Sequence, residues 1–438
     1  MTAQAEAVLE LARRRAEEAE VFSVTVEETP VKFEANRLKS LETRITSGLA
    51  LRVIKDGRIG FATSTRPDDA QALVDLALEL APFGAPAKFQ MPGPGAYAEV
   101  PVFDEAAAAF PAERMVAFGQ EVIDRLRRHT PELQVEGTVR KAVQTVRILN
   151  SAGADVSYRK TSYSANMEGV LIRGTDMLFV GEGEASCRPL TDPAFITEST
   201  IQQLEWGREI AKGPSGELPV IFTPSGVASA LVAPLSMAFS GRVVWQGASP
   251  LGESLGQEVY DRRLSLWDDP TVPYMPGSRA VDDEGVPARK VTLVAEGVAT
   301  EFLYDLQTAG LAGKASTGSA HRALTTQPSI GLSALVVSEG DATFADMLRE
   351  IREGVVVEYL MGAGQGNVMG GEFSGNVLLG YKVERGEIVG RVKNTMVAGN
   401  VHQALKEIAA LGSESRWVGA GLRTPPIAFA RLSVSSGD

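Results

Sequence analysis

The chain has 438 residues, 44% apolar and 22% charged, the balance of a globular protein with room for two or three cores. A net charge of −12 argues against a nucleic-acid or anionic-membrane surface, because phosphate binding needs clustered Lys and Arg. The one cysteine, Cys187, allows no intrachain disulfide and no thiolate cluster, and no run of about 18 apolar residues reads as a membrane span.

Residues 3–20 place Ala7, Val8, Leu11 and Ala12 on one face of an amphipathic helix. The first residues are charged throughout, unlike a signal peptide, and a cytoplasmic location is expected. From Val21 to Phe61 the pattern alternates as strands do, with a hairpin turn at Lys55, Asp56, Gly57 and Arg58. A second helix is expected to start at Pro67, Asp68 and Asp69 and to run through Leu73, Leu76, Ala77 and Leu80. The proline- and glycine-rich residues 84–101 mark a boundary.

Beyond it the spacing predicts a helix over 111–129 and strands over 134–150, 156–165, 167–173 and 177–184. A long helix should then pass through Ile201, Leu204, Trp206 and Ile210. The basic runs at Arg13–Arg15 and Arg125–Arg128 read as solvated helix faces. A second boundary falls at Gly213, Pro214, Ser215 and Gly216, after which strands dominate, interrupted by helices expected over 343–353 and 401–410. The fold class is α+β: an N-terminal domain over 1–95, a middle domain over 96–214 and a β-rich C-terminal domain over 215–438.

Residues 355–392 carry the densest signal. An apolar run, Val355 to Val357 and Tyr359 to Met361, has the length of one buried strand, and six glycines follow between Gly362 and Gly375. Two strand-like runs come next, joined by a turn at Glu384, Arg385 and Gly386. Gly362 to Asn367 is not a dinucleotide loop, since strand rather than helix follows, and there is no P-loop. The bare backbone suggests a surface on which an extended peptide can lie, with Gln365, Asn367 and Phe373 lining it. Glycines here also serve tight turns and close packing, and the composition leaves both readings open.

The same stretch resembles the C-terminal domain of the TldD/PmbA family of peptidase subunits. The resemblance rests on Gly370, Gly371, Glu372, Phe373 and Ser374, on the hairpin Tyr381 to Ile388, and on an expected turn at Ala398, Gly399 and Asn400. In the catalytic branch, zinc ligands come from H-E-x-x-x-H on a helix early in the third domain and from a cysteine near the C-terminus. Here the corresponding helix spans 224–241, with Val232, Ala233 and Met237 at those positions and a proline, Pro234, inside it. Arg416, Trp417, Val418, Gly419 and Ala420 stand where the cysteine segment would be.

The resemblance therefore implies the non-metal branch: a non-catalytic subunit, with no cofactor of its own, beside a TldD-like metal-bearing partner that holds zinc, or a homodimer. Unfolded or extended peptide is the implied substrate. The expected peptide-binding residues are Gly364, Gln365, Gly366, Asn367, Gly370, Gly371, Phe373, His321 and Arg322. The alternatives are a stand-alone homodimeric metallopeptidase with an unusual site near His321, and a non-enzymatic peptide-binding module. Arg242, Trp245, Arg262 and Trp267, in expected loops, suit a chamber lining or a subunit contact.

Of the other histidines, His129 suits a helix C-terminus and His402 a solvated first turn. Cys187 reads as structural. The carboxylate pairs Asp268, Asp269 and Asp282, Asp283 lie in proline-rich loops and read as solvated.

Overall fold

The structure, a computed structural model, describes residues 2–66 and 69–437. Strands β1 (Glu18–Glu34), β2 (Arg37–Leu41), β3 (Arg44–Lys55), β4 (Arg58–Ser64), β5 (Gln134–Asn150), β6 (Asp155–Arg173) and β7 (Asp176–Ser186) form one sheet. Its order is β4-β3-β1-β5-β6-β7, with β2 paired to β1. Asp56 and Gly57, at φ 51° and 68°, make the two-residue turn from β3 to β4. Strand β6 is continuous where two strands are expected. Asn166 keeps register with Thr138 of β5 and Gly183 of β7, so nothing ends the ladder there.

Residues 1–95 and 96–214 thus share a sheet, and what distinguishes them is which helices cover it. Helices α1 (Thr2–Arg13) and α2 (Ala70–Leu80) bury Val8, Leu73 and Val74 against Val21, Leu51 and Val53. Asp69 caps α2 by accepting from the Ala72 N–H; Pro67 and Asp68, expected in its first turn, lie outside the described residues. Residues 87–104 cross over without regular structure, followed by the short α3 (Glu105–Ala108). Helices α4 (Ala112–His129) and α5 (Ala194–Trp206) bury Met115, Val122, Leu126 and Leu204 against Val135, Val139 and Tyr163. Gly207 ends α5, so Ile210 lies beyond the helix, bridged to Arg391. The other face of β1 and β3 presents Phe22, Val24 and Ala50 to Leu324 of the C-terminal half.

That half starts with β8 (Gly216–Phe222) and three short helices, α6 (Pro224–Ala230), α7 (Val232–Ala238) and α8 (Gly241–Trp245). Next come β9 (Leu266–Asp268), β10 (Val291–Ala295), β11 (Val298–Ala299), α9 (Leu306–Ala312), β12 (Ala320–His321), β13 (Ser329–Ile330) and β14 (Leu335–Val337). Helix α10 (Phe344–Arg349) leads to β15 (Glu353–Met361), β16 (Glu372–Glu384), β17 (Glu387–Arg391) and β18 (Thr395–Asn400). The chain finishes with α11 (Val401–Ala404), β19 (Ile408–Leu411), β20 (Arg416–Val418), β21 (Leu422–Thr424) and β22 (Ile427–Ser436).

One sheet closes on itself through β15, β8, β22, β18 and β16, with β16 pairing back to β15. Inside the ring Phe222, Val355, Val357, Phe373, Val397 and Phe429 pack together. Outside it, Ile221, Val356, Leu379 and Tyr381 join the core under α4 and α5. A second sheet runs β11-β10-β9-β14-β21-β20, and β12 pairs with β13.

The helices expected over 343–353 and 401–410 are shorter in the structure. Glu353 and Gly354 already pair with β16, and Ile408 pairs with Phe429 of β22, so sheet formation takes the residues that helical spacing had suggested. The expected turn at Ala398, Gly399 and Asn400 is the end of β18, and Asn400 instead caps α11. No helix among the described residues is long and apolar enough to cross a membrane.

Candidate functional site

The glycine-rich segment links β15 to β16. Gly362 and Gly371, at φ 82° and 88°, turn the chain at either end, where side chains other than glycine are strained. Between them lie two single 3-10 turns, 363–365 and 368–370. The segment is not an extended edge. The Gln365, Val368, Gly370 and Gly371 N–H groups donate to carbonyls within it, and Asn400 Nδ2 donates to the Gly370 carbonyl at 2.8 Å. Closure of the ring also leaves β15 and β16 paired with each other, so the expected strand addition has no open ladder here.

The segment packs on α7. The helix expected over 224–241 is broken at Leu231, because Pro234 has no N–H to give the Ala230 carbonyl. Val232 is half-buried, and Ala233 and Met237 are exposed. Strands β20 and β21, at the segment that replaces the cysteine segment of the resemblance, pack against α6, and Gly419 and Ala420 in the turn between them are exposed. Helix α6 thus lies between α7 and strands β20 and β21, the segments to which the resemblance assigns metal ligands. Their side chains do not suit zinc: Val232 and Ala233 have no donor atom, and a Met237 thioether is a poor substitute for imidazole or carboxylate. Among the described residues no group of three or more His, Cys, Asp or Glu is placed to hold a metal.

Gly364, Gln365, Gly366 and Asn367 are exposed, Gly370 is half-buried and Gly371 is buried. A Cβ on Gly364 would meet nothing within 4 Å, and one on Gly366 only the Glu372 carbonyl oxygen at 4.0 Å. Tyr359 and Met361 of β15, Met369 within the segment and Met237 of α7, on which the segment packs, are exposed apolar side chains. Phe373, expected to line it, is instead 1% exposed inside the ring, its centroid 5.9 Å from that of Phe222. The strand alternation of β16 decides this, since Glu372 and Ser374 take the outward positions.

His321 and Arg322 do not join the segment. Arg279 Nη2 lies 2.6 Å from His321 Nε2, which must accept, leaving the proton on Nδ1. Burial, then Arg279 and Lys160, pushes the imidazole down to about 3. The Arg322 side chain is fully buried, donates to Glu20 Oε1 at 2.7 Å and stacks on Phe22 at 4.3 Å. It ties the C-terminal half to β1 and is not available to a peptide.

His402 also departs from expectation. It is 6% exposed, shares a 2.7 Å hydrogen bond between its Nδ1 and Tyr260 Oη, and packs on Gly371. His129 does end α4, with Nε2 2.7 Å from Glu205 Oε1. Cys187 is buried, its thiol pushed up to about 11 by burial. Trp245 is half exposed on α8, with Arg242 in the same helix; Trp267 lies in β9 under Lys290 Nζ, and Arg262 pairs with Glu258.

The carboxylates expected in solvent include two that are buried. Asp268 accepts from the Ser333 and Ala334 N–H groups, and Asp282 from those of Glu284, Val286 and Ala320. Segments distant in sequence supply the Ser333, Ala334 and Ala320 donors, Glu284 and Val286 are local, and burial still pushes both carboxyls up to about 6. Glu358, within the apolar run of β15, is the other residue missed. A lone carboxylate in a buried strand was the signal for it.

Residues 215–436 match the PmbA/TldA metallopeptidase C-terminal domain, and residues 19–81 match PmbA/TldA metallopeptidase domain 1. The fold is that of a metallopeptidase family. The chain belongs to the PmbA/TldD family. A metalloprotease of Methanothermobacter thermautotrophicus is 26% identical over 421 residues, 92% of this chain and 89% of that protein. Metalloprotease PmbA of Escherichia coli O157:H7 is 24% identical over 436 residues, 93% of this chain and 90% of that protein. TldE from Thermococcus kodakarensis, a solved structure, superposes with a TM-score of 0.89 at 25% identity, covering 99% of this chain and all of that one.

Proposed function

We propose that this chain is the metal-free subunit of a PmbA/TldD-type metallopeptidase, shaping the surface on which an extended peptide lies while a partner subunit holds zinc. The observation that carries the reading is the composition of α7. The family's fold is kept, yet Val232, Ala233 and Met237 offer neither a ligand set nor a general base. The likeness to TldE over the whole chain supports the same branch. Gly364 and Gly366 support the binding role, because neither packing nor a positive φ explains glycine there. A close approach from outside does explain it. Contacts would then come from side chains and isolated main-chain groups rather than from a strand ladder.

The test is metal content by mass spectrometry on chelator-free protein, with cleavage of an unfolded protein assayed alone and with a metal-bearing family member from the same genome. No stoichiometric metal alone, co-elution with that partner and cleavage only by the pair are expected. Stoichiometric zinc with chelator-sensitive cleavage by this chain alone overturns the reading.

A further inference from the structure

Outside the barrel, a cleft of about 400 Å³ lies between β7 and α5 on one side and β15, the start of α6 and β20 on the other. It is separate from the glycine-rich segment, which packs with the ring interior through Ala363. Glu358 points into the cleft from β15, in the same register as Val356, whose side chain also lies outside the ring. It is 8% exposed. Its Oε2 accepts from Thr223 Oγ1 at 2.8 Å, while Oε1 has no partner among the described residues.

Across the cleft Arg416 Nη2 donates to Ser225 Oγ at 2.9 Å and forms an ion pair with Glu182 Oε2 at the same distance. Its Nη1 is buried and donates to nothing. No ion pair joins Arg416 to Glu358 among the described residues. A self-contained structural network would have given Nη1 a partner, since a buried polar atom without one costs about 1–3 kcal/mol. Trp206 and Phe344, stacked with centroids 5.9 Å apart, form an apolar wall. The cleft thus offers a carboxylate oxygen without a partner, a guanidinium that is only partly paired and an aromatic surface, within the size range of small-ligand sites.

We propose that this cleft binds a small zwitterion, a free α-amino acid or a dipeptide. Its ammonium donates to Glu358 Oε1, its carboxylate accepts from the Arg416 guanidinium, and its side chain rests on Trp206 and Phe344. The ammonium supplies the charge that the buried carboxylate lacks, and the carboxylate satisfies the remaining guanidinium N–H groups. A ligand held this way bridges the first sheet and the barrel. The inference does not depend on whether the chain is metal-free.

Isothermal titration of the full chain with L-phenylalanine and with glycyl-L-phenylalanine tests it, and the comparison distinguishes the two sources. N-acetyl-L-phenylalanine and L-phenylalaninamide, each lacking one charge, serve as matched probes. Saturable binding of at least one zwitterion is expected, weakened about tenfold or more in the capped analogue lacking either charge and in Glu358→Gln and Arg416→Gln. Glu358→Gln keeps the shape of the side chain and an acceptor for Thr223, so it preserves the fold even where loss of the Glu182 pair compromises Arg416→Gln. No saturable binding of either zwitterion up to about 10 mM overturns the proposal. So does binding that the capped probes or Glu358→Gln leave unchanged.

Discussion

Glu20 accepts a hydrogen bond from Arg322 at 2.7 Å across 302 positions of sequence, and both side chains are fully buried. Arg52 completes the arrangement, donating to Glu20 at 2.9 Å and to Glu284 at 2.6 Å. Burial pushes the Glu20 carboxyl up, but Arg322 and Arg52 outweigh it and hold the group below its ordinary value. Its stabilisation is therefore present above the ordinary carboxylate range and lost as pH falls through the lowered value. Arg322→Met is expected to destabilise the protein by about 3–5 kcal/mol, because one buried charge loses a partner. Adding Glu20→Gln should recover part of that loss. Urea unfolding of the two single variants and the double variant measures the coupling, and additive losses would contradict it.

Glu358 behaves in the opposite sense. Burial, opposed by Thr223 and Arg416, holds its carboxyl near 7 against an ordinary 4.5, and Glu182 adds to the rise. Tyr381 faces the same carboxylate. Between these two values the folded protein keeps a proton that the unfolded chain releases, so stability falls as pH rises through the window. The effect is of the order of 3 kcal/mol for this group. Glu358→Gln is expected to raise the urea midpoint at pH 8 and to change it little at pH 5. Equal shifts at both pH values would mean that the carboxyl titrates normally.

Two of the histidines are locked neutral by their surroundings. Burial, then Lys406, lowers His402 to about 4, and His321 lies lower still at about 3. Their ring resonances should stay constant from pH 8 to pH 5 in a histidine-labelled NMR titration. The unfolded chain takes up these protons below about 6.5, so both groups withdraw stability as pH falls from there. His321→Ala should cost about 1–3 kcal/mol by stranding Arg279, with no pH-dependent activity attached to it. A His321 resonance titrating near 6.5 would refute the buried, neutral assignment.

Local chemistry was readable wherever one residue type forces a backbone state. The turns at Asp56-Gly57 and Arg385-Gly386, all at positive φ, were marked in the sequence, as was the amphipathic α4. What failed depends on distant partners. The proline- and glycine-rich residues 84–101 announce a connection but not that β5 returns to pair with β1 along Glu20 to Phe33. Polar residues are solvated by default. Nothing near Asp268 or Asp282 in sequence reveals the backbone N–H groups that Ala334 and Ala320 bring to them. The glycine-rich segment was found, but its local 3-10 turns and the closed ring behind it were not, because ring closure is set by the β15–β16 pairing and not by composition.

The glycines of that segment divide into two classes that mutation can separate. Gly371 sits at φ 88°, and a Cβ there would come within 2.3 Å of His402 Cδ2. Gly371→Val should therefore cost about 1–3 kcal/mol from backbone strain, with further loss from the clash. Gly364 and Gly366 meet no such constraint, so Gly364→Val and Gly366→Val should leave stability within about 0.5 kcal/mol of wild type. If these glycines admit a peptide, the same two variants should weaken binding of a fluorescent unstructured peptide about tenfold, read by anisotropy with the metal-bearing partner present. Unchanged stability with unchanged binding would remove this surface from the substrate path. The exposed Tyr359, Met361 and Met369 would then be the next side chains to replace.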